Sequence, residues 1–284
     1  MAKSLRGAPI AAAITEELAD RVDVLRAGEV APTLAIVRVG ERPDDLSYER
    51  GACKRAEKIG VDVKNFVLAE DCSQQDLLEV IEEVNRDPSI HGCLILRPLP
   101  AAFDEVAVCT ALDPAKDVDG ITVESLYGVF ANKPLGYPPC TAEAVVELLA
   151  RSGIELSGAH VTVVGRSLVI GRPVSMMLQA KNATVTMCHT RTRDLAAECR
   201  AADVLVVAAG HARTVGAGSV TSGQTVVDVG FNWDDVAGKL VGDVEFDAVE
   251  PVVDAITPVP GGVGSVTTAI LVKHVVEAAE RAKR

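Results

Sequence analysis

Two glycines, a serine, two arginines and a proline, set between a β-branched run and an apolar helix, carry the plainest chemistry in this sequence. His160–Val164 reads as a buried strand. The loop Gly165-Arg-Ser-Leu-Val-Ile-Gly171-Arg-Pro173 follows, and residues 174–181 can supply a helix whose first turn suits Pro173. A second β-rich run, 183–188, completes a strand–loop–helix–strand unit. Such a unit binds dinucleotides, because glycines admit a pyrophosphate close to the backbone and a helix N-terminus offers N–H groups. Gly165, Arg166, Ser167, Gly171 and Pro173 are therefore candidate cofactor residues. The glycines are six apart rather than five, and Ser167 stands at the middle-glycine position, so by itself the loop also fits an ordinary βα turn. The second run ends Cys188-His-Thr-Arg-Thr-Arg193, without an acidic residue. An acid there would hold a ribose diol and repel a 2′-phosphate, whereas Thr190 and Arg191 welcome one. NADP is favoured over NAD, although Arg191 and Arg193 also fit a solvated surface pair.

The elements that must position these residues alternate in type. Helical spacing covers 8–27, 46–59, 73–85, 142–151 and 266–283; strands are expected at 33–39, 61–68, 91–96, 204–209 and 225–229, with an extended segment at 255–260. Residues 115–139 read as the main irregular stretch. Strands separated by helices imply parallel βαβ units, so the expected fold is α/β, two lobes with ligand positions beyond the C-terminal strand ends. With 284 residues, 48% of them hydrophobic, the chain can bury a real core. A net charge of −12 argues against nucleic acid as a partner. No apolar run approaches a bilayer span, and seven scattered cysteines without a CxxC pair read as buried thiols in a reducing cytoplasm. No metal-ligand spacing stands out.

Several strings place the chain more sharply: Pro114-Ala-Lys-Asp-Val-Asp-Gly120, Pro139-Cys-Thr141, the 165–173 loop, Asn182-Ala-Thr-Val-Thr186 with Cys188-His189, Asp228-Val-Gly230, Gly242-Asp-Val244 and Thr257-Pro-Val-Pro-Gly-Gly-Val-Gly264. In this order and over nearly the whole length, the chain resembles the methylenetetrahydrofolate dehydrogenase/cyclohydrolase family. The resemblance implies hydride transfer from methylenetetrahydrofolate to NADP (NAD as the alternative), then hydrolysis of the methenyl product. It implies an N-terminal folate-binding catalytic lobe (1–140 with 266–284, the last helix returning to it) and a Rossmann-type NAD(P)-binding domain (141–265). A homodimer through the cofactor domain, with substrate between the lobes, follows from the same likeness. Tyr48 matches the tyrosine that stacks on folate, and Asp119 the aspartate that holds the pterin; these are the catalytic pair. Leu96, Pro98, Gly261 and Gly262 fall at substrate-binding positions, and Gly230 and Thr257 at cofactor-binding ones. A packing tyrosine, a loop-capping aspartate and a simple tight turn are the plainer readings of Tyr48, Asp119 and Gly261–Gly264.

Two departures bear on activity. The family pattern has a lysine four residues after the tyrosine, and here that position is Ala52; Lys54 and Arg50 point off the Tyr48 face and Arg55 lies almost two turns away. Where the family reads Gly-x-Leu-x-Gln-Leu-Pro-Leu-Pro, this chain reads Gly92-Cys-Leu-Ile-Leu96-Arg97-Pro-Leu-Pro100. The missing lysine and glutamine are the pair the family uses for hydrolysis. Hydride transfer needs chiefly alignment, whereas hydrolysis needs a positioned acid/base group. The expectation is a dehydrogenase with weak or absent cyclohydrolase activity. The rival expectation has Arg97 or Arg55 in the lysine's place, giving full bifunctionality. A generic NAD-dependent small-acid dehydrogenase or a non-catalytic nucleotide-binding protein would leave the Lys-Asp-Val-Asp-Gly and Pro-Gly-Gly-Val-Gly strings unexplained.

Overall fold

The structure, a computed structural model, describes residues 1–235 and 238–283. The chain divides into two compact units, Met1–Ala11 with Thr141–Thr267, and Ala12–Cys140 with Thr268–Arg284. The expected division differs at the N-terminus, where residues 1–11 join the cofactor-side unit. Strand β1 (Lys3–Ser4) pairs in parallel with β11 (Ala255–Ile256), and Leu5 N–H donates to the Ile256 carbonyl at 2.8 Å. A two-residue Lys-Ser strand carries no apolar alternation, so its sequence gives no sign of it. Arg284 lies outside the described residues.

The unit that holds Tyr48 is built on a parallel sheet of β2 (Thr33–Val39), β3 (Asp62–Leu68) and β4 (Gly92–Ile95), with β2 central. Every residue of β2 and β4 is buried, which explains their largely apolar runs; the charge of Arg38 in β2 is paired. Its helices are α1 (Gly7–Ala27, from Ala12 onward), α2 (Pro43–Ile59), α3 (Gln74–Arg86), α4 (Glu105–Ala111), α5 (Val123–Ala131) and most of α10 (Val263–Ala282). In α3 a capping box joins Ser73 and Asp76, and Leu77, Ile81 and Val84 pack with Ala35, Val37 and Ile95. Burying each of those side chains contributes about 1.5–3 kcal/mol. Helix α2 begins at Pro43, three residues before its apolar periodicity, because proline suits the first turn and Asp44 and Asp45 complement the helix dipole. Helix α5 lies inside the stretch read as irregular. It is short, and its Val123, Tyr127 and Phe130 are exposed, so it lacks the amphipathic signature that would announce it.

The other unit carries six parallel strands in the order β1-β11-β8-β7-β5-β6, with β5 at His160–Val164, β6 at Thr184–Cys188, β7 at Val204–Val207 and β8 at Thr225–Asp228. Helices α6 (Cys140–Arg151), α7 (Gly171–Gln179), α8 (Leu195–Arg200) and α9 (Phe246–Val249) connect them, and β9 (Asn232–Asp234) and β10 (Lys239–Val241) form a separate antiparallel pair. Strand β5 lies between β6 and β7, so the chain leaves it to one side and then crosses back. That reversal is the topological switch point at which open α/β sheets take ligands, beyond the ends of β5 and β7.

Candidate active site

The Tyr48 half-site is assembled within one unit. Tyr48 comes from α2, Asp119 from the loop before α5, Cys140 from the first position of α6, and Arg97 from the segment after β4. Burial pushes the Tyr48 phenol well above its ordinary range, and the nearby Asp119 carboxylate and Cys140 thiol push the same way. The phenol is therefore protonated at neutral pH and available as a donor. Burial also raises Asp119, to about 6, against the pull of the Arg97 charge and of a hydrogen bond with Cys140. The loop that presents Asp119 is held by its neighbour: the buried Asp117 carboxylate accepts from Ile121 N–H, Thr122 N–H, and the Thr122 and Ser125 hydroxyls at 2.6–2.9 Å. Cys140, buried at 1%, also reaches the Val118 carbonyl at 3.2 Å. His274 Nδ1 lies 2.8 Å from the same carbonyl. A carbonyl only accepts, so Nδ1 carries the ring proton. Sequence reasoning set Cys140 aside as a buried thiol, although it sits in the quoted Pro139-Cys-Thr141 string.

The two departures are placed plainly. Ala52 is fully buried on α2, and Leu96 is 5% exposed, its N–H continuing the ladder to the Val37 carbonyl at 2.9 Å. Neither brings an acid or base to Tyr48. Arg55 donates to the Thr15 hydroxyl at 3.0 Å, which commits it to α1. Arg97 pairs with Glu105 at 3.2 Å. Pro98 is exposed, and its carbonyl accepts from Arg42 at 2.8 Å, tying this segment to the start of α2. Next to Tyr48 in the chain, Glu49 makes a largely buried ion pair with Arg38 of β2 at 2.7 Å, which fixes this stretch of α2 on the sheet.

The glycine loop leaves β5 with Gly165 at φ +141, where a side chain would overlap Ala208 of the segment after β7. A Cβ at buried Gly171 would overlap the Gly165 carbonyl, so the loop folds tightly on itself. The Ser167 hydroxyl accepts from Ile170 N–H at 3.1 Å, and the Ser167 carbonyl accepts from Arg172 N–H at 3.0 Å. The first amides of α7 are thus already used, and Pro173 has none. Among the described residues the amides of Arg166, Ser167, Leu168 and Val169, in the loop rather than at the helix end, have no partner. With the Ser167 O–H and the exposed, unpaired Arg166 guanidinium they form a donor-lined cradle that fits a pyrophosphate. At the end of β6, Thr190 and Arg191 are exposed, and the guanidiniums of Arg191 and Arg193 have no acceptor among the described residues. The nearest acid, Asp194, is spent capping Ala197 N–H at 2.9 Å.

Gly230 and Thr257 sit in the scaffold under this cradle. Buried Asp228 accepts from Gly230 N–H at 2.8 Å and from Asp243 and Val244 N–H at 3.0 Å each. Thr257, fully buried, accepts from Asp228 N–H at 2.7 Å. The Asp243 carboxylate in turn accepts from Gly210 N–H and the Asn232 amide at 2.8 Å. Asp-Val-Gly, Gly-Asp-Val and the first threonine of the Thr-Pro-Val-Pro string are therefore one network that shapes loops at the strand ends. Thr257 is fully buried, and its hydroxyl is engaged with the Asp228 backbone. Gly261, at φ +103, and buried Gly262 belong to this same unit, and the Gly261 carbonyl accepts from Gly7 N–H at 2.9 Å. Among the described residues no group of three His, Cys, Asp or Glu side chains could hold a metal.

A switch-point cradle in one α/β unit and a half-buried tyrosine–aspartate site in the other define a two-unit nucleotide-dependent enzyme. The family model for the catalytic domain of tetrahydrofolate dehydrogenase/cyclohydrolase matches residues 5–119, and that for its NAD(P)-binding domain matches 139–283. The bifunctional protein FolD of Carboxydothermus hydrogenoformans is 50% identical, with 99% of this chain and 98% of the relative covered. The crystal structure of the bifunctional FolD enzyme of Campylobacter jejuni superposes with a TM-score of 0.96 at 35% identity, covering 99% of both chains. The Trypanosoma brucei FolD structure, complexed with NADP cofactor and inhibitor, gives 0.94 at 34% identity, covering 100% of this chain and 99% of that one. This chain belongs to the tetrahydrofolate dehydrogenase/cyclohydrolase family.

Proposed function

We propose that this protein oxidises methylenetetrahydrofolate to methenyltetrahydrofolate with NADP+, and that it hydrolyses the methenyl product weakly or not at all. The observation that carries this reading is the retained Tyr48–Asp119 arrangement beside two buried apolar side chains, Ala52 and Leu96, at the hydrolytic positions. The substrate's methylene carbon loses a hydride while a neighbouring nitrogen lone pair forms the C=N bond. When bound, NADP+ supplies the acceptor for that hydride. Tyr48 contributes a protonated aromatic face for stacking, and Asp119 accepts from the pterin N–H groups. Hydrolysis would need a water deprotonated in place. Ala52 and Leu96 offer nothing for that, and the Arg97 guanidinium stays protonated.

NADP+ over NAD+ rests on the unpaired Arg166, Arg191 and Arg193 and on the lack of a free acid after β6. Initial rates with methylenetetrahydrofolate and either cofactor test both readings together. Robust reduction of NADP+ is expected, and Arg191→Ala should raise the KM for NADP+ about tenfold with little change for NAD+. Equal loss for both cofactors would refute the 2′-phosphate role, and no reduction of either would refute the dehydrogenase. The same reading takes the protein as a cytoplasmic homodimer joined through the cofactor unit. Phe231 and Trp233, 70% and 63% exposed, offer apolar surface for that contact, and no helix among the described residues is long and apolar enough to cross a membrane.

A further inference from the structure

Among the described residues two buried side-chain polar atoms have no hydrogen-bond partner, the Tyr137 hydroxyl and the Arg97 Nε. Tyr137 lies under the Arg281 guanidinium, 4.3 Å from its ring centre, and has a structural setting. Arg97 is different. Its Nη1 is anchored on Glu105 Oε1, and Glu105 Oε2 is itself fixed by Leu99 N–H at 3.0 Å. The guanidinium is thereby held at one end while its Nε–H donor is left buried and unspent. An unmade buried hydrogen bond costs about 1–3 kcal/mol, so the vacancy calls for an acceptor from outside the chain.

The Asp119 carboxylate, which shares a hydrogen bond with Cys140 and keeps further lone pairs, lies within the field of Arg97. The Arg97 charge bears on that carboxylate, yet no hydrogen bond joins the two. An unspent donor in the field of a carboxylate that still has lone pairs to offer matches one kind of ligand edge, a lactam, which presents a carbonyl oxygen next to an N–H. The carboxylate takes the N–H but would repel the carbonyl, and a neighbouring cationic donor removes that conflict. The family string has leucine where this chain has Arg97, so the donor is a feature of this chain.

We infer that Arg97 is a specificity-determining residue whose Nε–H reads the C4 carbonyl of a pterin while Asp119 holds the adjacent N–H. The inference rests on the folate reading of the Tyr48 half-site. Its test is the ratio of dissociation constants for tetrahydrofolate and its 4-amino-4-deoxy analogue, measured by calorimetry on the full chain. Replacing the carbonyl by an amino group turns the acceptor into a donor. Arg97→Leu is expected to shift that ratio about tenfold toward the amino analogue, through weaker binding of the 4-oxo compound. Arg97→Lys, which keeps the charge but not the fixed fork, should shift it by less. Unchanged NADP+ affinity and thermal midpoint identify a folded variant. A ratio unmoved in folded Arg97→Leu overturns the inference and leaves the folate reading standing, provided the wild type binds tetrahydrofolate. Failure of the wild type to bind either compound overturns both.

Discussion

Asp119 sets stability against binding, and pH separates the two. Its folded pKa of about 6 stands above the ordinary carboxylate value, chiefly through burial. Between those values the folded protein binds more protons than the unfolded chain, so this group's contribution to stability falls as pH rises and reaches its full penalty above about 6. Asp119→Asn should therefore stabilise the protein by about 1–3 kcal/mol at pH 8, with the gain vanishing near pH 4. Urea unfolding at the two pH values checks it, and a gain that does not depend on pH would contradict it. If Asp119 holds the pterin as proposed, the carboxylate must be ionised to accept from it, so kcat/KM for the folate should drop below about pH 6. Asp228, also raised to about 6 by burial, titrates in the same range, which is why the Asp119→Asn difference is the measurement to read. The sequence singles out Asp119 through the Lys-Asp-Val-Asp-Gly string and Tyr48 through the family resemblance, and the structure places both in one unit. The orphaned Arg97 donor is not legible in that way, because it depends on how Glu105 anchors the guanidinium, which no motif spacing reveals.

At the scale of elements, the loops at the strand ends of the cofactor unit are set by Asp228. Its acceptors gather the segments after β8 and β10 and, through Thr257, the segment after β11. A Cβ at Gly242 would overlap the Asp228 carboxylate. Gly242→Ala is expected to cost about 2–4 kcal/mol in denaturant unfolding and to weaken NADP+ binding, since overlap with a buried, hydrogen-bonded group has no cheap relief. A loss below about 0.5 kcal/mol would show that the network tolerates the shift. The helices and strands with strong periodicity could be read from the sequence to within a few residues, as α3 and β2 illustrate. The missed elements each had a physical reason: β1 is two polar residues, β9 and β10 are three residues each, and α5 turns its apolar side chains outward. The glycine loop is legible in the sequence, but not which of its amides the fold leaves unpaired. Six-residue spacing lets Ser167 curl back over the start of α7, and no glycine count reveals that.

The whole molecule carries a net charge of −12, so an anionic dinucleotide and a folate must be drawn in by local cations rather than by the overall field. The proposal assigns that task to Arg166, Arg191 and Arg193 in one unit and Arg97 in the other. On the function proposed above, both units keep what dehydrogenation requires, while Ala52 and Leu96 give the Tyr48 unit no acid/base group for hydrolysis. Loss of a positioned acid/base group typically removes about 10²–10⁴-fold in rate, enough to separate the two activities. The decisive measurement follows methenyltetrahydrofolate decay and NADP+ reduction with one enzyme preparation. The account predicts steady NADP+ reduction with methenyl decay close to the uncatalysed background. Enzymatic hydrolysis as fast as the dehydrogenase turnover would contradict it.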